Sequence, residues 1–256
     1  MKGRPLKCRF GGHGPGLLAS IAFGIGGGWL AAMPGSALAD DYIVYSPDVS
    51  PGKSELELRG SHSDDGRADR RELAAEASVA YGANAWWKPE LYLARYVDSP
   101  DSGRGLIGYE FENTFRLTPR GRYPFDVGLL AAYERNTRAG GRDAMEIGAL
   151  IELERGRFSH RVNLIWERQV GSGGDRHREF RGDYAGSYRV HGGFRVGLET
   201  YARPADRAYQ AGPVLAGEWR AAHADHELEW RVGILAGINA AAPERTVLLQ
   251  LAYESN

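Results

Sequence analysis

From residue 107 the chain alternates. Odd positions read Ile107, Tyr109, Phe111, Asn113, Phe115 and Leu117, while even positions read Gly108, Glu110, Glu112, Thr114 and Arg116. A period of two places these sets on opposite faces of one β-strand, one greasy and one polar. The rule returns with Phe125, Val127, Leu129, Ala131 and Tyr133 against Asp126, Gly128, Leu130, Ala132 and Glu134. It returns again with Met145, Ile147, Ala149, Ile151 and Leu153 against Glu146, Gly148, Leu150, Glu152 and Glu154.

Later segments obey it too. Phe158, Val162, Leu164 and Trp166 oppose Arg161, Asn163 and Glu167; Phe180, Tyr184 and Tyr188 oppose Glu179, Arg181, Asp183 and Ser187. Phe194, Val196 and Leu198 face away from Arg195 and Glu199; Leu228, Trp230, Val232 and Ile234 from Glu229 and Arg231. Weaker segments near 54–61, 71–83, 86–96 and 209–219, with a last one around Val247 to Tyr253, bring the total to about 12 strands, with 10 as the smaller alternative. The Ala-rich run near Leu73 to Val79 is helical on propensity alone, yet it alternates with Glu72, Glu76 and Ser78 and reads as strand.

The connections are expected to alternate broadly between long and short, although the turn from Arg220 to Asp225 is not especially short. His62 to Arg70, Val97 to Gly105, Asn136 to Arg142 and Val170 to Arg176 are the longer ones. Asn84, Arg155 to Arg157 and His191-Gly192 mark the short ones. Outer-membrane barrels show this asymmetry, with short periplasmic turns and longer outer loops.

Alternation alone does not say which face is inside, because a soluble barrel and a membrane barrel use opposite faces. Three features select the membrane. Lys2, Arg4, Lys7 and Arg9 precede an apolar run from Leu17 to Met33 and a small-residue site at Ala37-Leu38-Ala39, which reads as an export signal cleaved near Ala39. Aromatic residues such as Tyr109, Tyr133, Trp166, Trp219 and Tyr253 cluster toward strand ends, as interfacial girdles do. The polar face is rich in glycine and mixes Glu with Arg. The chain is therefore expected to be an all-β, antiparallel up-and-down transmembrane β-barrel over 54–256, preceded by a signal peptide (1–39) and an N-terminal periplasmic segment (40–53).

Without residues 1–39 the chain has 28 basic and 33 acidic residues, a net charge of −5, against −1 for all 256 residues. That balance offers nothing to nucleic acid. Cys8, the one cysteine, precedes the apolar run, so the mature chain has no disulfide.

Quoted stretches of this sequence resemble a small, largely uncharacterised family of proteobacterial outer-membrane barrels: "YIVYSPDVSPGKSELELRG", "WWKPELYL", "GYEFENTF", "LIWERQVG" and "RPADRAYQAGPV". The architecture is also similar to monomeric twelve-stranded porins for acidic sugars, although those line their pores with basic residues. The resemblance implies a barrel in the outer membrane of a Gram-negative bacterium, partnered by outer-membrane lipid and the barrel assembly machinery. It implies no cofactor. Outer-membrane barrels typically end in an aromatic residue, whereas here Tyr253 is followed by Glu254, Ser255 and Asn256.

The candidate functional residues are the charged members of the polar face: Glu110, Glu112, Glu134, Glu146, Glu152, Arg161, Glu167, Arg181, Arg195, Glu199, Glu229 and Arg231. Inside a narrow barrel such charges must pair or stay wet. The acids are expected to be neutralised across the lumen by Arg161, Arg181, Arg195 and Arg231. Glu110 and Glu112 have a spacing near that of a glycosidase carboxylate pair, but any strand with two polar positions produces it. The pairs Ser61-His62 and Ser159-His160 point to opposite faces and make no dyad. The turn "HADH" (His223, Asp225, His226) offers metal-ligand types but reads as solvated; "GSGGD" (171–175) lacks the residues of a phosphate loop. The function expected is a porin-like channel for small polar solutes. The alternatives are a closed structural or binding barrel acting through its outer loops, or an outer-membrane lipid- or saccharide-modifying enzyme.

Overall fold

The computed structural model describes residues 42–65, 71–100, 103–171, 178–220 and 226–255. The export signal and its cleavage position, and His223 and Asp225 of the HADH turn, lie outside them.

All regular structure among the described residues is strand. Twelve strands run β1 (Ser54–Asp64), β2 (Arg71–Tyr81), β3 (Trp87–Ser99), β4 (Gly103–Arg116), β5 (Asp126–Asn136), β6 (Asp143–Arg155), β7 (Phe158–Val170), β8 (Arg178–His191), β9 (Phe194–Arg203), β10 (Ala208–Arg220), β11 (His226–Gly237) and β12 (Arg245–Ser255). Each pairs antiparallel with its sequence neighbours, and β12 pairs back onto β1 from Ser54↔Ser255 to Asp64↔Arg245. The sheet closes into an up-and-down transmembrane β-barrel with no free edge.

Period two now has a direction. Leu56, Leu58, Phe111, Ile147, Leu164, Phe180, Leu198, Ile234, Val247 and Leu249 are exposed on the outer surface, while Glu57, Glu110, Glu112, Glu152, Asn163, Asp183 and Glu199 are buried on the inner one. An outer face this apolar is stable only against lipid. The Ala-rich run from Leu73 to Val79 lies within β2, as its alternation requires.

Three sequence expectations need correction. Ile107 was grouped with the outward residues, but it is buried against Ala74 and Val97, because register shifts between Tyr92 and Tyr96 change the phase of the β3–β4 ladder. The loop expected over Val97 to Gly105 is mostly strand, since β3 runs to Ser99 and β4 starts at Gly103; the nine residues 117–125 between β4 and β5 form a longer connection at the opposite rim. Long and short loops therefore do not alternate strictly.

Third, the segment expected to sit in the periplasm is inside the barrel. Tyr42, Ile43, Val44, Tyr45 and Val49 are all buried, by contacts with the inner wall. Gly52, at φ 81°, makes the turn that sends the chain from this segment into β1.

At Gly212 on β10 an added Cβ would lie 1.9 Å from the Ile234 carbonyl oxygen of β11. Gly212→Val must push these strands apart, costing about 3 kcal/mol. The expected outcome is a lower urea midpoint for the compact band of unheated protein in gel electrophoresis; an unchanged midpoint contradicts the close approach.

Candidate functional site: the barrel interior

The interior is built around charges that have left bulk water. Arg95 of β3 serves three acids on three strands: its Nε is 2.7 Å from Glu76, and its Nη1 is 3.3 Å from Glu110 and 2.9 Å from Glu134. Arg59 of β1 lies 3.0 Å from Glu57 and 3.1 Å from Glu76, with its guanidinium 4.8 Å above the Tyr92 ring. Glu57 accepts from Gln250 Nε2 at 2.7 Å; Gln250 in turn accepts from Arg231 Nε at 2.8 Å, and Arg231 pairs with Glu199. The chain Glu199, Arg231, Gln250, Glu57, Arg59, Glu76, Arg95 and Glu134 therefore runs along the inner wall from β9 to β5. On the remaining wall Arg181 meets Glu146 at 3.0 Å, and Arg203 meets Asp183 at 2.7 Å.

The residues anticipated from sequence all lie on this inner face, but their pairing differs. Arg161 does pair with Glu152, at 2.9 Å, and Arg181 with Glu146. Glu110 and Glu134, however, are held by Arg95, which alternation did not nominate because the bulge in β3 shifts its phase. Arg195 reaches Ser187 Oγ at 3.4 Å and Glu154 at 3.7 Å rather than the central acids. Glu112 is 1 % exposed and stands across the strand pair from Glu90. Glu90 accepts from Ser78 Oγ at 2.5 Å and lies 3.5 Å from Lys88. Glu167 is half-buried opposite Glu179. Glu229 lies in a group with Glu218 and Glu227 whose ligand atoms are all within 4.8 Å of one another, and Arg220 binds Glu227 at 2.9 Å.

The N-terminal segment threads this interior as an extended strand, and its own period of two decides what it touches. Tyr42 and Val44 pack with Tyr201, Leu235 and Leu248 on one wall; Ile43 and Tyr45 pack with Leu130, Leu150 and Ile165 on the other. Four of its backbone groups are met by side chains of the barrel. Asn163, fully buried, accepts from the Tyr45 N–H at 2.6 Å and donates to the Tyr45 carbonyl at 3.0 Å. Arg231 donates to the Tyr42 carbonyl, and Arg116 donates to the Val49 carbonyl at 2.9 Å. Ser46 donates to Glu152 at 2.5 Å, and Asp48 pairs with Arg116 and with Arg120, the latter at 2.9 Å. Sequence reasoning missed this. The signal available was the run of inward apolar residues Leu130, Leu150, Ile165, Leu235 and Leu248, which a purely aqueous lumen does not need.

Below the segment, at the mouth where β1 begins and β12 ends, lies a cavity of about 620 Å³. Lys53, Glu55, Lys88, Arg116, Arg161 and Glu229 are among its lining residues. Lys53 pairs with Glu254 there, so Glu254, after Tyr253, continues β12 and faces inward. His160 and His226, singled out in sequence, face elsewhere. His160 and Tyr184 share a 2.8 Å hydrogen bond on the outer surface, and His226 stacks on Tyr253 with ring centres 5.6 Å apart. Ser159, facing inward, donates to Glu152 at 3.2 Å.

No protein-family model and no curated protein sequence matches this chain. Solved structures do match in fold. The COG4313 outer membrane channel from Pseudomonas putida F1 overlays with a TM-score of 0.56 at 13 % identity, covering 81 % of this chain and 96 % of that one. NanC porin gives a TM-score of 0.49 at 12 % identity over 78 % and 99 % of the two chains; KdgM porin gives 0.49 at 10 % over 79 % and 98 %. The fold is that of porin-like outer-membrane barrels.

Asn163→Ala removes both of the side chain's hydrogen bonds to the buried Tyr45 backbone, at about 1–3 kcal/mol for each group. The expected outcome is an intact barrel whose segment 42–50 is cut by added protease much faster than in the wild type. Equal resistance contradicts the clamp.

Proposed function

We propose that the protein is an outer-membrane channel of porin type for small polar solutes, exported by a signal peptide cleaved near Ala39, with the inner Glu and Arg side chains as its selectivity lining. The observation that carries this reading is the combination of a closed barrel, a charged inner wall and a charged cavity at one mouth. The solved outer membrane channel with the same fold supports it. In this reading solutes diffuse past paired charges, and no covalent step is required. The twelve inner residues, from Glu110 to Arg231, set local charge: eight are Glu and four Arg, and the five on β4 to β6 are all Glu, so cations are favoured over anions.

The buried segment 42–49 favours a second reading, a barrel closed at rest that acts through its outer loops. The two readings differ in conductance. Planar-bilayer recording on folded, inserted wild type is expected to show small steps, and deletion of residues 42–50 is expected to raise them severalfold. No conductance from either form, with insertion verified, rejects the channel reading. Steps from the deletion variant alone assign the resting state to the closed barrel.

A further inference from the structure

The outer surface of β7 and β8 is a ladder of cross-strand pairs. From the mouth where the chain enters the barrel it reads Phe158↔Tyr188, His160↔Gly186, Val162↔Tyr184, Leu164↔Gly182, Trp166↔Phe180 and Arg168↔Arg178. At roughly 3.3 Å per residue and a tilt near 40°, the ten steps from 158 to 168 climb about 25 Å, the height of the apolar band of a membrane barrel. An aromatic pair thus sits just below the far lipid interface, and two guanidiniums sit at it.

Like charges directly opposite each other on neighbouring strands destabilise a sheet. Three other outward arginines at this rim have acids: Arg71 lies 3.9 Å from Asp64, Arg104 3.7 Å from Asp98 and Arg135 2.6 Å from Asp143. Arg168 and Arg178 have no such pairing among the described residues, and Arg168 Nε is shielded from solvent with no hydrogen-bond partner. Asp143, the outward acid on the adjoining strand β6, is already taken by Arg135, by the Tyr133 hydroxyl at 2.7 Å and by the Asn136 N–H at 3.1 Å. Glu167 and Glu179 point into the barrel.

We propose that Arg168 and Arg178 form a binding site for the phosphomonoester headgroup of a lipid in the leaflet opposite the chain ends. A phosphomonoester carries about −1.5 to −2 charges near neutral pH and accepts the forked N–H groups of two guanidiniums. Lipid is the source rather than free phosphate because the pair stands directly above Trp166 and Phe180, with Leu164 and Val162 below to take acyl chains. The site does not depend on conductance, so its test is separate from that of the channel.

The test uses full-length mature protein refolded in zwitterionic micelles, with folding verified by the compact gel band. Bound lipid is counted by native mass spectrometry during titration with bisphosphorylated lipid A, with phosphatidylcholine, and with inorganic phosphate. Wild type is expected to retain lipid A, and R168Q/R178Q to lose at least tenfold in its affinity. R135Q, whose arginine already has an acid partner, is expected to match wild type, and R168K/R178K to fall between. Equal lipid A binding by R168Q/R178Q overturns the site, as does equal retention of phosphatidylcholine. Inorganic phosphate that displaces lipid A at equal concentration overturns the lipid assignment.

Discussion

Arg95 shows what the interior requires. A guanidinium 3 % exposed is tolerable only because Glu76, Glu110 and Glu134 surround it, and it in turn helps hold those acids, Glu76 jointly with Arg59. Desolvating an unpaired ion costs several kcal/mol. Because the three acids come from β2, β4 and β5, the pairing also specifies which strands lie side by side and in what register. A slip of one residue would turn every acid to lipid. The ion-pair chain thus acts with the apolar exterior: both select the same closed cylinder, one from inside and one from outside.

The N-terminal segment follows from the same constraint. A barrel interior of charges alone would have to stay wet, but this one has apolar patches at Leu130, Leu150 and Ile165 and at Tyr201, Leu235 and Leu248. An extended strand with side chains alternating between two walls fills both patches at once. The free N–H and carbonyl groups of such a strand, which has no sheet partner, are met by Asn163, Arg116 and Arg231. Arg231 therefore has two tasks, holding Glu199 in the wall and the Tyr42 carbonyl in the segment. Arg231 thereby couples the wall to its occupant, as Asn163 and Arg116 also do.

Strand number, topology and the facing of most residues were legible because period two is a local property, carried by pairs such as Phe111 and Glu112. What was not legible is what depends on phase breaks and on long-range contact. The bulges in β3 leave the composition of "YLARYV" unchanged yet bring Arg95 to the inner face and make it the central cation. Ile107 changes face for the same reason. The placement of Tyr42 to Val49 could not be read from the segment itself, which looks like any extended linker. The hint was distributed over five strands as inward leucines and isoleucines, each of which, taken alone, resembles a lapse in alternation.

Charge on the outside obeys a different rule from charge on the inside. Within the lumen the guanidiniums are met by groups of the protein itself, from the wall or from the N-terminal segment, as Arg95, Arg231 and Arg116 are. At the far rim Arg71, Arg104 and Arg135 still follow that rule, through Asp64, Asp98 and Asp143. Arg168 and Arg178 do not, at a rim where the surrounding medium can itself supply a fixed anion. Two guanidiniums held 25 Å up a lipid-facing ladder, with aromatic rings beneath them, are costly for an isolated sheet and inexpensive for a sheet embedded in phosphate-bearing lipid. The exception is consistent with a structure selected in its membrane rather than alone.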